Sequence, residues 1–211
     1  LSTCCETSGR EAPVASLIAL IFIINLLGVA GFWLWNAAQE PWTHQLQADA
    51  PGLLIALGRL AGLLAAFLVL LQLFFVGRIR WVESAFGLDH LTRAHHFNGF
   101  LIMALLILHA PLLILGNAMM GEVSLAAQGM DFIQNWAGVG MAALAGALFV
   151  MIVLLSVAIV KNRMKYEWWH SIHMLAYAAI LLAMSHQFKV GGDLAGHPVF
   201  SAYWLGLYLL T

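Results

Sequence analysis

Histidine is the residue type whose positions in this sequence suggest chemistry. The chain has nine histidines in 211 residues, beside only nine Lys or Arg and ten Asp or Glu residues. His95 and His109 lie on one apolar segment, and His173 and His186 lie on another. Ionisable side chains in such segments are costly and usually functional. Neutral imidazole is a common metal ligand, so these two pairs are candidate metal or haem ligands.

The two pairs have nearly the same axial spacing. His95 and His109 are 14 residues apart, which is about 21 Å and close to four turns of an α-helix. His173 and His186 are 13 residues apart, which is about 19.5 Å of helix. Thirteen residues leave the second pair about 140° apart on an ideal helix. We therefore expect either a distorted second helix or ligands on two of its sides.

A b-type haem with two axial imidazoles needs one histidine from each of two facing helices at one depth. The spacing predicts a lower haem iron on His95 and His173 and an upper one on His109 and His186. Zinc is a weaker alternative, because it takes four ligands around one centre, and no Asp, Glu or Cys lies between the pairs. A hydrogen-bonding role inside the protein is the other alternative for each histidine.

The composition places these residues in a membrane. Hydrophobic residues make up 63% of the chain, charged residues only 9%, and the mean hydropathy is +0.90. A soluble domain carries about 25% charged residues. This excludes a soluble enzyme and a disordered chain, and a net charge of −1 leaves no basic surface for nucleic acid. Cys4 and Cys5 are adjacent and predict neither a disulfide framework nor a covalent haem attachment.

Six apolar segments approach the length of about 20 residues that crosses a bilayer as a helix. The sequence therefore predicts an all-α, integral membrane six-helix bundle that binds two stacked haems b. After an N-terminal tail at 1–14, a transmembrane haem domain covers 15–211. Its predicted spans are 15–37, 52–77, 94–116, 134–160, 167–188 and 198–211.

The loop charges predict the orientation. Two loops carry clusters of cations, which are Arg78, Arg80 and Arg93 in one and Lys161, Arg163 and Lys165 in the other. The positive-inside rule makes these loops and both termini cytoplasmic, so the third and fifth spans run parallel. The sixth span reaches Thr211 without a polar tail. We expect the natural chain to continue into the cytoplasm.

Arg59 is the cation that lies well inside a predicted span, near the depth of His109. An unpaired guanidinium there is costly, so a partner is expected. The propionates of the upper haem would suit a bidentate, charge-assisted contact. The alternative is that the side chain reaches the outer surface of the membrane. We predict that Arg59 binds the cofactor and lies where the electron acceptor approaches.

The sequence resembles the ferric reductase-like transmembrane domain, the haem core shared by ferric reductases and NADPH oxidases. The resemblance covers about residues 52 to 189. It rests on LGRLAG at 57–62, WVESAFGLD at 81–89, His95-x3-Gly99-x9-His109, YEWW at 166–169 and His173-x12-His186. It implies that the four histidines hold two haems b, with His96 and His170 outside the ligand set. It also implies a cytoplasmic FAD- and NAD(P)H-binding module that supplies electrons.

The predicted function is electron transfer from cytoplasmic reduced flavin or NAD(P)H, through both haems, to ferric iron or oxygen at the outer face. The expected partners are the lipid bilayer, the flavin dehydrogenase module and a small acceptor, without nucleic acid. The expected location is a bacterial inner or plasma membrane. Two alternatives stay open. The chain could be the haem b subunit of a separate periplasmic reductase, or a non-redox, histidine-lined metal transporter.

Overall fold

The structure is a computed structural model that describes residues 8–39, 50–162 and 165–211. Those ranges are helical almost throughout and contain no strand. Their helices are α1 (Ser8–Gln39), α2 (Ala50–Val76), α3 (Arg80–Phe86), α4 (Leu88–Met120), α5 (Leu125–Asn135), α6 (Val139–Asn162), α7 (Tyr166–His173), α8 (Leu175–Val190), α9 (Gly192–Ala195) and α10 (Pro198–Leu210). The all-α part of the prediction is confirmed.

Four of these helices contain segments long and apolar enough to cross a membrane. The segments are Val14–Ala37, Ala50–Val76, Leu88–Met120 and Val139–Val157. Large apolar side chains on them are exposed, such as Leu27 at 65% and Leu154 at 63%. Such surfaces are favourable against lipid and unfavourable in water. The chain is therefore an integral membrane protein built as a helical bundle.

The fifth predicted span consists of two helices rather than one. α7 ends at His173 and α8 begins at Leu175, with Met174 between them. The amide of Tyr177 donates to the Met174 carbonyl, a tighter i→i−3 bond than an α-helix makes. The interruption leaves α8 with 16 residues. The sixth predicted span corresponds to α10, which is apolar but has only 13 residues.

The start of the fourth span differs from the prediction. An amphipathic helix, α5, takes residues up to Asn135, and the Ser124 hydroxyl caps it by accepting from the Ala127 amide at 3.2 Å. The chain then turns at Gly138, where φ is +84°, a conformation that glycine adopts at little cost. The membrane-crossing helix α6 therefore begins at Val139 rather than at residue 134. Residues 1–7 of the predicted N-terminal tail lie outside the described residues. The rest of the predicted tail belongs to α1, which begins at Ser8.

Contacts between side chains show how the helices run. Gly62 of α2 lies against His109 of α4, whereas Gln72 of α2 donates to the carbonyl of His95. The order along α2 is reversed along α4, so these two helices are antiparallel. His95 and His109 of α4 face His173 and His186 in the same order, so α4 runs parallel to α7 and α8.

The helices α2 and α4 pack through small residues. A Cβ atom added at Gly116 would lie 2.6 Å from Ile55 Cγ1 and 2.8 Å from the Pro51 carbonyl oxygen. One added at Gly58 would lie 3.0 Å from Leu113. Small residues let membrane helices approach closely, so their backbones can reach side chains of the neighbour. This approach positions α2 beside the histidines of α4.

Candidate functional site

The structure brings the four predicted histidines together as two separate pairs. The ring centres of His95 and His173 are 6.0 Å apart, and those of His109 and His186 are 6.4 Å apart. We call them the lower pair and the upper pair. His173 is the last residue of α7 and His186 lies on α8, so the helix is interrupted at Met174 between the two residues. One ring from each side therefore meets its partner at each level.

The ring separations fit two imidazoles on one metal ion. A metal–imidazole bond is about 2 Å long, so the centres of two opposed rings lie about 6 Å apart. Both pairs have this separation. In the described parts of the chain no group of three or more His, Cys, Asp or Glu side chains gathers at one point. Each pair thus offers two imidazole ligands, which is the number that a b-type haem takes.

Backbone carbonyls orient both rings of the upper pair. His109 Nδ1 lies 2.8 Å from the Gly58 carbonyl oxygen, and His186 Nδ1 bonds the Ala183 carbonyl. Because a carbonyl oxygen only accepts, Nδ1 carries the proton in each ring. The lone pair is then on Nε2, the nitrogen left for a metal.

Two glycines border the upper pair. A Cβ atom added at Gly62 would lie 2.5 Å from both Nδ1 and Cε1 of His109. One added at Gly138 would lie 3.1 Å from the backbone nitrogen of His186. Real Cβ atoms do not approach other atoms as closely as the first of these distances. The His109 ring therefore occupies space that exists because residue 62 has no side chain.

In the lower pair, side chains rather than a backbone carbonyl contact the imidazole of His173. Trp169 stacks on His173 with ring centres 5.3 Å apart, and its Nε1 donates to the Ser156 hydroxyl at 3.3 Å. The same hydroxyl lies 3.4 Å from His173 Nδ1. Across the pair, Nδ1 of His95 is buried without a hydrogen-bond partner among the described residues. The two sites thus differ in how firmly their rings are held.

Two histidines outside the predicted ligand set, His96 and His170, lie beside the lower pair. His96 makes an edge contact with His95, at 5.8 Å between ring centres. His170 stacks on Tyr166, also at 5.8 Å. Both side chains are exposed. Neither one faces a histidine of the opposite helix in the way that the two pairs do.

Arg59 has a partner that the sequence did not indicate. Its Nε donates to Asp193 Oδ2 at 2.9 Å, and its Nη2 lies 2.8 Å from Asp193 Oδ1. The Asn36 amide also donates to Asp193 Oδ1, at 3.2 Å. Asp193 lies between two apolar segments, and that position predicts an exposed loop residue. In the structure the residue is only 3% exposed. The predicted contact of Arg59 with a haem propionate stays a prediction.

The comparison with protein families agrees with this geometry. Residues 61–184 match the model of the ferric reductase like transmembrane component. The match covers more than half of the chain. The chain belongs to this family. No curated protein and no solved structure matches it.

Membership of the ferric reductase-like family gives the chain a general function. Its members are membrane oxidoreductases that transfer electrons across the bilayer, and this holds for the present chain in the same general terms. His95, His109 and His173 lie within the matched residues, whereas His186 and Arg59 lie just outside them. The family match therefore does not cover these last two residues, and their predicted roles stay predictions.

Proposed function

We propose that the chain carries electrons across the membrane through two haems b, each held by one histidine pair. His95 and His173 hold the lower haem, and His109 and His186 hold the upper haem. The electron source is a cytoplasmic reduced flavin, supplied with NAD(P)H electrons by a dehydrogenase module or protein. The acceptor at the outer face is ferric iron or oxygen.

One observation carries this proposal, namely the pairing of the rings at two levels. On one side α4 presents two histidines, on the other side α7 and α8 present one each in the same order, and both ring separations suit a metal between the rings. A lone buried histidine has many explanations. Two facing pairs at two depths of one helical bundle are best explained by two stacked cofactors, one between the rings of each pair.

When bound, a haem held by two imidazoles would supply one-electron transfer rather than substrate binding at iron. The chain's own residues hold and separate the two sites. Ile102 and Met103 of α4 and Ala179 and Ile180 of α8 lie between the two levels, and all four are buried.

The charges around the bundle support a direction for the electrons. The exposed Arg78 and Arg80 lie in the segment that joins α2 to α4, at the end of the bundle nearest the lower pair. By the positive-inside rule this end of the bundle lies on the cytoplasmic side of the membrane, which we take to be a bacterial inner or plasma membrane. An inside-negative potential then assists the outward movement of each electron by about 2.3 kcal/mol per 100 mV.

Absorption spectra of the purified protein test the proposal. The reduced-minus-oxidised spectrum of the wild type is expected to show b-type haem. His109→Ala should remove the upper haem alone, and His173→Ala should remove the lower haem alone. His96→Ala is the matched control, since His96 adjoins a proposed ligand without belonging to a pair, and it should retain both haems.

The same preparation separates the alternatives. Absence of b-type haem, together with metal uptake into vesicles that depends on these histidines, would overturn the proposal and favour a transporter. Haem that accepts electrons only from a soluble flavin protein or a quinol, and passes them to a periplasmic partner, would favour a subunit of a separate reductase. Full retention of both haems in His109→Ala and in His173→Ala would contradict the ligand assignment.

A further inference from the structure

A group of polar side chains lies among the apolar helices near the upper pair. Arg59 and Asp193 form a bidentate ion pair, with side chains 18% and 4% exposed. Asn36 of α1 is 1% exposed, and its amide donates to the carboxylate and, at 3.4 Å, to the backbone carbonyl of Asp193. We call Arg59, Asp193 and Asn36 the polar triad. The Asp193 carboxylate therefore has a partner on each oxygen.

The triad connects the two sides of the upper pair. Arg59 follows Gly58, whose carbonyl accepts from His109. Asp193 lies in α9, directly after the turn in which the Gly191 amide donates to the carbonyl of His186, at 3.2 Å. The ion pair thus joins the segment of α2 that orients His109 to the end of the helix that carries His186.

The fit around the guanidinium is close. A Cβ atom added at Gly192 would lie 3.0 Å from Arg59 Nη2 and 3.1 Å from its Cζ. The turn after α8 therefore packs its backbone against the guanidinium. A bidentate arginine–carboxylate pair has a defined geometry, and this turn holds both members in place.

We propose that Asp193 is a positioning residue of the upper site, which fixes Arg59 beside the upper histidine pair and balances its charge. This inference rests on the proposed function. Removal of one member of a buried ion pair leaves the other charge uncompensated. In a medium of low dielectric constant that charge acts strongly on a neighbouring redox centre. Each member of the pair should therefore shift the reduction equilibrium of the upper haem, in opposite directions.

Redox titration of purified variants that contain haem tests this inference. Asp193→Asn leaves the cation of Arg59 and should raise the midpoint potential of the upper haem. Arg59→Gln leaves the anion and should lower it. We expect each change to alter the reduction equilibrium constant about tenfold, which is 59 mV for one electron. The double variant should return close to the wild-type value, and the lower haem should not shift in any variant.

Two further variants complete the experiment. Asp131→Asn is the matched control, because the bonds that Asp131 makes among the described residues are local, to Asn135 of α5 and to Trp136 directly after it, and it should shift neither potential. Asp193→Glu keeps the charge and should stay near the wild-type potential. If Asp193→Asn loses the upper haem instead, retention of that haem in Asp193→Glu supports the positioning role.

Several results would overturn the inference. Shifts of the same sign in Asp193→Asn and Arg59→Gln would show loss of structure rather than loss of charge. An unchanged upper potential in Asp193→Asn, or identical behaviour of Asp193→Asn and Asp193→Glu, would exclude the role of the carboxylate. With haem present in the wild type, these results leave the proposed function intact. A wild-type chain without haem would overturn both.

Discussion

The upper histidines depend on neighbours that have no side chain. His109 bonds the Gly58 carbonyl, and its ring fills the space above Gly62. The spacing of the histidines predicted the four whose rings face one another in the structure, while their role as haem ligands stays a prediction. It could not predict that backbone groups of α2 orient one of them, because such contacts depend on the distance between two helices.

The side chain of an alanine at position 62 is expected to displace the His109 ring. The added Cβ would lie 2.5 Å from Nδ1, and the bond to Gly58 prevents the ring from moving away freely. Gly62→Ala should therefore lose most of the upper haem while it keeps the lower one. The spectrum and haem content of the purified variant measure this.

Gly146→Ala is the control for this substitution, because nothing lies within 4 Å of a Cβ added at that membrane-helix glycine. It should keep both haems. Equal haem content in Gly62→Ala and the wild type would show that His109 is not held against α2 in the way described.

Among the helices, those that the sequence predicts best are the long apolar ones. The segments at 52–77 and 94–116 correspond to α2 and α4, because an uninterrupted apolar stretch leaves a membrane helix little choice. The helical phase of His173 and His186 indicated either a distorted helix or ligands on two of its sides, and it could not give the position of the break at Met174. The helix α5 was missed, since its 11 residues are too few and too amphipathic to read as a span.

The packing of α2 against α4 includes a buried polar connection at the lower level. Asn98 donates to the Leu68 carbonyl at 2.9 Å and to Gln72 Oε1 at 2.6 Å. Gln72 in turn donates to the carbonyl of His95 at 2.9 Å. These bonds tie the helix that carries His95 to its neighbour without touching the imidazole.

We expect a double-mutant cycle of Asn98→Ala and Gln72→Leu to reveal this connection. Hydrogen bonds between membrane helices contribute about 0.6 kcal/mol on average, with a maximum of about 1.7. The coupling free energy should fall in that range and be favourable, as measured by reversible unfolding in mixed micelles. Strictly additive losses of stability would show that the two side chains do not interact.

At the scale of the whole molecule, the bundle carries two histidine pairs that are held by different kinds of neighbouring group. Backbone carbonyls contact the imidazoles of the upper pair, and the polar triad joins the two segments that carry those contacts. Trp169 and Ser156 contact His173 of the lower pair, and Gln72 bonds the carbonyl of His95. The sequence predicted the two levels and the parallel course of their helices, because rise per residue and loop charge are local properties. It could not reveal Asp193 as the partner of Arg59, since only the folded turn brings residues 134 positions apart together.

The orientation of the bundle is a prediction of the loop charges. Lys165 and Lys189 are both exposed and lie at opposite ends of the α7–α8 segment. In a Cys4→Ser, Cys5→Ser background, a membrane-impermeant maleimide should label Lys189→Cys in intact cells. It should label Lys165→Cys only after the membrane is opened. The reverse pattern would place the lower pair at the outer face.

The most direct measurement of the central claim is the amount of haem per chain. Purified wild-type protein is extracted as the pyridine haemochrome, and the protein is quantified by amino-acid analysis of the same sample. Two histidine pairs, each with rings about 6 Å apart, predict two haems b for each polypeptide. Either of two results would contradict the claim. One is a preparation that has the helical content of the folded protein but holds no haem. The other is a single haem per chain that is lost on replacement of any one of the four paired histidines.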